Sequence, residues 1–114
     1  MKPLEYAPEV ITVTPPGCDD VHLRSPTFAD WHAVATAHRA LAAESKDPPA
    51  DLIAKTIAVC LCDEAGKPLA DQAKILRAGH RQIMWIYARC WDTVLKAGDE
   101  VVAEREKNSE ASRG

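Results

Sequence analysis

The first part of the chain has the hydrophobic pattern of a β-hairpin. EVITVT (residues 9–14) is rich in β-branched residues, and VHLRS (residues 21–25) provides a return strand. PPGCDD between them consists of residues that tight turns favour. We therefore predict a hairpin over residues 9–25. Because an isolated hairpin is only marginally stable, it must pack on the rest of the chain or extend the sheet of another subunit.

A helical pattern follows in SPTFADWHAVATAHRALAAES (residues 25–45). Thr27 followed by Asp30 resembles a capping box, and Ser25 followed by proline offers an alternative start one turn earlier. KDPPAD (residues 46–51) ends the helix. Residues at three- and four-residue spacings predict one stripe facing the core: Phe28, Trp31, Val34, His38, Leu41 and Ala42.

The segment DPPADLIAKTIAVCLC (residues 47–62) predicts a second helix, with Asp47 as its cap. From residue 52 onward only Lys55 is charged, so this segment is apolar on nearly all sides. We expect it to be the central buried helix. A strand over residues 56–62 remains the alternative, since TIAVCLC is β-branched and a glycine-containing turn follows it.

Two further helices complete the predicted fold. ADQAKILRAG (residues 70–79) is a short helix with Asp71 as its cap and Gly79 in the left-handed conformation that ends it. HRQIMWIYARCWDTVLKAG (residues 80–98) is the longest helix and ends at Gly98. Its predicted core face contains Ile83, Met84, Tyr87, Cys90, Trp91, Val94 and Leu95.

The fold class is therefore mainly α, with about four helices and a small N-terminal hairpin. At 114 residues the chain is long enough for one core and too short for a second. We predict a single domain over residues 1–106. Residues 107–114 form a polar tail that we expect to be disordered, because NSEASRG contains nothing apolar to bury.

Composition narrows the range of partners. The net charge of −3 provides no electrostatic reason to bind nucleic acid or an anionic membrane surface. MKPLEYAPEV lacks the apolar stretch of a signal peptide. The longest apolar run is about ten residues, half of what a membrane span needs. We expect an intracellular protein that binds neither nucleic acid nor membrane.

Four cysteines raise the question of a metal site or of disulfides: Cys18, Cys60, Cys62 and Cys90. They allow three disulfide pairings, but an intracellular chain normally keeps its thiols reduced. The C-x-C spacing of Cys60 and Cys62 differs from the spacing of structural zinc sites, and on a helix the two side chains would diverge by about 200°. We interpret the cysteines as small buried hydrophobic residues.

No other motif indicates catalysis. His32 and His38 are six residues apart and lie nearly opposite each other on a helix, unlike the histidine pair of a zinc protease. AGK in the loop after Cys62 lacks the remaining residues of a phosphate-binding loop. We interpret CLCDEAGKPLAD (residues 60–71) as a connector and predict a non-enzyme without cofactor or metal. A small metal- or nucleotide-dependent enzyme is the weaker alternative.

The fourth helix carries a candidate protein-binding site. Trp85 lies about 200° from Ile83 around the helix axis and cannot share the face that packs on the second helix. Arg89 comes four residues after Trp85, and Asp92 comes three residues after Arg89. This Trp85–Arg89–Asp92 ridge would suit a protein interface, because Trp and Arg are enriched at hot spots. The alternative is that Trp85 is tucked under the hairpin.

Three segments resemble one known protein family. VHLRSPTFADW (residues 21–31), after its glycine-containing turn, resembles the start of the tail assembly chaperones of long-tailed, non-contractile bacteriophages. DEAGKPLAD (residues 63–71) resembles the acidic turn after the second helix of that family. AEREKNSEASRG (residues 103–114) is similar to the polar tails of its members. The resemblance extends from Gly17 to Ser109 and rests on short motifs.

This resemblance implies a specific role in the host cytoplasm. Members of the family bind the tape-measure protein, keep it soluble and promote tail-tube polymerisation, and they are absent from the mature virion. A longer, frameshifted form recruits the tail-tube protein, and the present chain resembles the shorter product. Self-association into a homo-oligomer is expected as well. The alternative from another class is a structural head-tail connector or adaptor protein.

Overall fold

Four helices and a three-stranded antiparallel sheet make up the part of the chain that the computed structural model describes, residues 6–69 and 71–96. This confirms the predicted mainly helical fold and its N-terminal hairpin. The predicted tail (residues 107–114) and Gly98 lie outside the described residues. The elements, in chain order, are β1 (Val10–Val13), β2 (Val21–Arg24), α1 (Phe28–Ala43), α2 (Ala50–Cys60), β3 (Leu61–Cys62), α3 (Gln72–Arg77) and α4 (His80–Asp92).

The hairpin follows directly from its turn residues. β1 and β2 pair antiparallel, with Val13 opposite Val21. Within the turn, the Cys18 N–H donates to the Pro15 carbonyl at 3.1 Å, and Gly17 has a φ of 74°. Proline at the second position and a glycine with positive φ at the third are the requirements of a type II turn. The pairing continues to a backbone hydrogen bond between Glu9 and Ser25, matching the predicted bounds.

A third strand lies within residues 56–62, the segment for which a strand was the alternative to the predicted helix. α2 ends at Cys60, and Leu61 and Cys62 continue as β3, which pairs antiparallel with β2. The sheet order is β1-β2-β3. Both interpretations of residues 56–62 are therefore correct in part. The helix ends where the free edge of β2 offers backbone hydrogen bonds that replace those of another helical turn.

α1 begins at the predicted cap, but its predicted core stripe is wrong at the first turn. The Thr27 hydroxyl accepts a hydrogen bond from the Asp30 N–H at 3.3 Å. Val34 and Ala35, in the middle of the helix, are buried, whereas Phe28 is 76% exposed. Phe28 instead lies against the rings of Trp31 and His32, with centroid distances of 6.0 and 5.7 Å. Trp31 also packs against the core cluster, whereas Ala42 at the other end of the predicted stripe is exposed.

α2 begins later than predicted. Pro49 occupies the cap position in an extended conformation, and Asp47 lies outside the helix. The cause is the pair of prolines, because a residue that precedes proline is disfavoured in helical conformation. The chain therefore becomes helical only after Pro49. The prediction of a central helix is confirmed, since α2 contacts α1, α3 and α4.

The junction between α3 and α4 differs from the prediction at Gly79. The Asp71 carboxylate caps α3 by accepting from the Ala73 N–H at 2.9 Å, as predicted. α3 ends at Arg77, and Ala78 follows it in an extended conformation. Gly79 has a φ of −63° and precedes α4 as its cap, so the predicted left-handed glycine is wrong. Ala78 and Gly79 alone join α3 to α4, and no left-handed glycine ends α3.

α4 is also shorter than predicted, because it ends at Asp92 rather than continuing to Gly98. Thr93 leaves the helical conformation with φ −123° and ψ −91°, and its hydroxyl donates to the Arg89 carbonyl. The turn that follows is closed by a 2.9 Å bond from the Leu95 N–H to the Cys90 carbonyl. This turn directs Leu95 into the core, where it is 1% exposed.

The hydrophobic core lies where the sheet meets α2 and α4. Three of the four cysteines, Cys60, Cys62 and Cys90, are fully buried, and all four thiols are free. The interpretation as buried hydrophobic residues is confirmed for those three, whereas Cys18 is only half-buried. The main cluster consists of Leu23, Ala54, Ile57, Cys60, Ile75, Ile86, Cys90, Val94 and Leu95. Across residues 6–69 and 71–96, every helix is too short or too polar to span a membrane.

Candidate protein-binding site

The structure brings Trp85, Arg89 and Asp92 together along one side of α4. The Arg89 guanidinium lies over the Trp85 ring, 5.5 Å from its centroid. Its Nη2 atom is 3.3 Å from the Asp92 Oδ2 atom. Helical spacing alone explains these contacts, because side chains three and four residues apart are neighbours on a helix. The side chains of Arg89 and Asp92 are 44% and 60% exposed, so this ion pair contributes little to stability.

Trp85 is neither fully exposed nor fully covered by the hairpin. Its side chain is half-buried and packs against the hydrophobic core. It also lines a cleft of about 600 Å³, whose other walls are Pro16 of the hairpin turn and the first residues of α4. One part of the indole therefore supports the fold. The remainder is available, together with Arg89, to a partner.

The loop between β3 and α3 uses its acid to build its own backbone. The Asp63 Oδ1 atom accepts from the Ala65 and Lys67 N–H groups at 2.8 and 2.9 Å. Gly66 has a φ of 85°, and a Cβ at this position would lie 3.1 Å from the Pro8 side chain. The interpretation of this segment as a connector agrees with these contacts, since the carboxylate is already engaged by the loop.

The buried thiols are poorly suited to nucleophilic or metal chemistry. A hydrogen bond with the Cys90 thiol, together with burial, holds the pKa of Cys60 far above its ordinary value. Burial likewise raises the pKa of Cys62. Both thiols therefore keep their protons, whereas the thiolate is the reactive and metal-binding form. Within the described residues, no group of three or more His, Cys, Asp and Glu side chains could hold a metal ion.

His38 belongs to an aromatic cluster between α1 and α4. Its Nδ1 atom lies 2.8 Å from the Val34 carbonyl, and its Nε2 atom lies 2.7 Å from the Tyr87 hydroxyl. A carbonyl can only accept, so neutral His38 carries its proton on Nδ1 and accepts from Tyr87 at Nε2. Burial raises the pKa of Tyr87, which keeps that donor protonated. His38 is therefore half-buried, with both ring nitrogens hydrogen-bonded.

An apolar groove between α2, α3 and α4 is a second candidate surface, and sequence reasoning missed it. Its volume is about 170 Å³. Leu76 and Met84 stand at its mouth and are 53% and 48% exposed. Leu76 is the sequence feature that could have indicated this groove. It directly follows Ile75 on a helix of six residues, which is too short to bury both side chains. The lining residues are Ala50, Ile53, Ala54, Ile75, Leu76, Ala78, His80, Ile83 and Met84.

Comparison with known proteins yields no relative. No protein-family model matches the chain, and no curated protein or solved structure matches it significantly. We therefore infer a function from the motifs in the sequence and from the surfaces described above.

Proposed function

We propose that this protein is a tail assembly chaperone of a long-tailed, non-contractile bacteriophage. In this role it binds the tape-measure protein in the host cytoplasm, keeps it soluble and promotes polymerisation of the tail tube around it. It then leaves the assembly and is absent from the mature virion. The motifs VHLRSPTFADW and DEAGKPLAD support the proposal through their resemblance to that family.

The Trp85–Arg89–Asp92 ridge is the observation that carries the binding role. An indole with a guanidinium 5.5 Å from its ring centre provides a flat apolar surface bordered by charge. Such a surface suits an apolar helix of the tape-measure protein, because buried Trp and Arg side chains dominate many interfaces. The acid at Asp92 orients Arg89 without burying it.

The sheet supports a second part of the proposal, which is self-association. β1 forms one edge of the sheet, and among the described residues no strand pairs with its outer side. An edge strand offers unpaired backbone groups to another chain. A homo-oligomer would cover this edge, and a longer frameshifted form would add the segment that recruits the tail-tube protein.

Truncation of Trp85 tests the proposed binding site. We expect Trp85→Ala to remain helical by circular dichroism. It should weaken self-association or solubilisation of the co-expressed tape-measure protein by about 2 kcal/mol, which is roughly 30-fold. Light scattering measures the assembly, and the soluble fraction of the client measures solubilisation. Phe28→Ala is the matched control, since Phe28 is an exposed aromatic residue on α1.

Two outcomes would contradict the proposal. Loss of helicity in Trp85→Ala would assign Trp85 to the core rather than to an interface. A folded variant that assembles and solubilises the client as well as the unmodified protein would remove the ridge from the binding site. Detection of the protein in purified virions would favour a structural head-tail connector instead.

A further inference from the structure

A further cleft, which we call the indole cleft, lies between α1 and α4. Its volume is about 430 Å³, and sites for small molecules usually measure about 300–1,000 Å³. Ala35 is the most buried of its lining residues, and Ala42 lies two turns further along the same face of α1. These two small side chains leave the space that the cleft occupies. The lining residues are Trp31, Ala35, His38, Arg39, Ala42 and Trp91.

Three ring systems line the indole cleft, and the fold holds them in place. The Trp31 Nε1–H group donates to the Leu95 carbonyl at 3.1 Å. His38 is hydrogen-bonded at both ring nitrogens. Trp91 meets the His38 ring edge to face, with the two centroids 4.8 Å apart. The orientation of the rings is therefore set before a ligand arrives, which lowers the entropic cost of binding.

These rings offer aromatic surface rather than hydrogen-bonding groups. The polar atoms of Trp31 and His38 are already engaged within the protein. Both indoles pack partly against the hydrophobic core and are half-buried, so part of each ring faces the solvent. Aromatic rings pair favourably in stacked and edge-to-face arrangements. The walls of the cleft therefore suit a planar aromatic group.

The charge in the indole cleft comes from Arg39. Its side chain lines the cleft and is exposed, and within residues 6–69 and 71–96 it forms no ion pair. No acid of those residues lines the cleft. Glu44, near the end of the same helix, is paired with Lys46 at 2.9 Å. A guanidinium can bind a carboxylate through two parallel hydrogen bonds, so Arg39 favours an anionic ligand.

We propose that the indole cleft binds a small planar aromatic molecule that carries a carboxylate. The aromatic part lies against Trp31 and Trp91, and the carboxylate pairs with Arg39. A few polar groups within a largely aromatic wall are typical of sites that fix the orientation of a small ligand. The inference goes beyond the proposed function, because the cleft contains no residue of the Trp85–Arg89–Asp92 ridge.

Three probes separate the aromatic requirement from the charge requirement. 1-Naphthylacetate carries both features, 1-naphthylmethylammonium replaces the carboxylate by a cation, and cyclohexylacetate lacks the aromatic rings. Isothermal titration calorimetry with the full chain should show at least tenfold tighter binding of 1-naphthylacetate than of either other probe. Its advantage over the cation should shrink at high salt, because exposed charges are screened.

Variants of the protein locate the bound probe. Ala42→Leu fills the cleft and should weaken binding of 1-naphthylacetate at least tenfold. Ala40→Leu is the matched control, since Ala40 is also an exposed alanine of α1 and lies about 200° away around the helix. Arg39→Gln should abolish the preference for the anionic probe, and Arg39→Lys should retain part of it. Circular dichroism verifies that each variant is folded.

Several results would overturn the proposal. Absence of binding at millimolar 1-naphthylacetate, or equal binding of cyclohexylacetate, would remove the aromatic site. Tighter binding of 1-naphthylmethylammonium would make the cleft an aromatic cage for cations. Unchanged affinity in Ala42→Leu would place the probe elsewhere on the protein. Trp85→Ala should leave probe affinity unchanged, so a failure of the chaperone proposal can be distinguished from a failure of this one.

Discussion

Both halves of α2 contain apolar residues but have different surroundings, and its two charged residues, Asp51 and Lys55, lie towards the N-terminal end. In the C-terminal half, Ile57 and Cys60 are fully buried, in one core cluster with Leu23 of β2 and Cys90 of α4. In the N-terminal half, Ala50 and Ile53 line a groove whose mouth is only partly closed. We refer to these two regions as the closed half and the open half.

The difference lies in what covers each half. Leu23 of the sheet, which is 0% exposed, packs against the closed half. The open half borders α3, a helix of six residues with Ile75 buried and Leu76 exposed. Hydrophobicity along α2 therefore does not separate core from binding surface. The neighbouring elements decide which part of an apolar helix remains available to a partner.

The largest effect is expected from a change in the closed half. Leu23→Ala removes a fully buried side chain between the sheet and α2, and such truncations cost about 2–5 kcal/mol. Urea unfolding followed by circular dichroism measures the free energy. Met84→Ala in the open half is the matched control, with an expected cost of about 0.5 kcal/mol. Equal losses in the two variants would show that the open half belongs to the core.

The cysteines of the closed half provide the next test. Cys60→Ala together with Cys62→Ala removes two fully buried thiols and should lower the free energy of unfolding by about 1–3 kcal/mol. Metal content should be the same before and after the change. Stoichiometric zinc in the unmodified protein, purified without chelator, would contradict the interpretation of these residues as packing side chains.

The same thiols predict a pH dependence. The pKa of Cys60 is raised above its ordinary value of 9.0, through the Cys90 thiol and burial, and burial raises that of Cys62. Unfolded thiols ionise above that ordinary value, whereas the folded ones retain their protons. The stability that these thiols contribute is therefore complete below pH 9 and falls as the pH rises above it, because the unfolded thiols release protons that the folded ones retain.

Chemical unfolding at pH 8, 9 and 10 measures this loss. The double variant Cys60→Ala with Cys62→Ala should lose less stability over the same range than the unmodified protein. Iodoacetamide at pH 8 should modify the half-buried Cys18 before the three buried thiols. Rapid modification of Cys60 in the folded protein would mean that the closed half opens readily.

The smallest effect is expected at the border of the open half. Asp71→Ala removes the cap of α3 and should cost about 1 kcal/mol or less, because caps of short exposed helices contribute little more. Asp71→Asn retains an oxygen acceptor and serves as the control. Urea unfolding followed by circular dichroism should show a smaller loss for Asp71→Asn than for Asp71→Ala. Equal stability of Asp71→Ala and the unmodified protein would show that this cap contributes nothing measurable to α3.

Local interactions explain why much of the fold could be predicted from the sequence. The type II turn at Gly17, the Thr27 cap and the Asp71 cap each join residues two or three positions apart. The contacts of Arg89 with Trp85 and Asp92 also follow from helical spacing. These features need no information about distant parts of the chain, so the pattern of residues was sufficient to predict them.

The remaining features depend on residues far apart in the sequence. Leu61 and Cys62 form a strand because β2, about forty positions earlier, supplies their partners, and sequence pattern alone is ambiguous for such short apolar runs. α4 ends early at Asp92, and Leu95 then accepts a hydrogen bond from the Trp31 side chain at 3.1 Å. The local sequence left helix and strand open for residues 56–62, and it carries no signal for the contact between Trp31 and Leu95.

The sequence by itself determined the hairpin, the four helices and the arrangement of Trp85, Arg89 and Asp92 along one helix. Turn, cap and helical geometries depend on neighbouring residues, so the order of residues specifies them. Only the tertiary structure decided that Trp85 is half-buried, that Phe28 is exposed and that an apolar groove opens beside Met84. Burial depends on which elements cover a side chain, and that covering is set by contacts between distant parts of the chain.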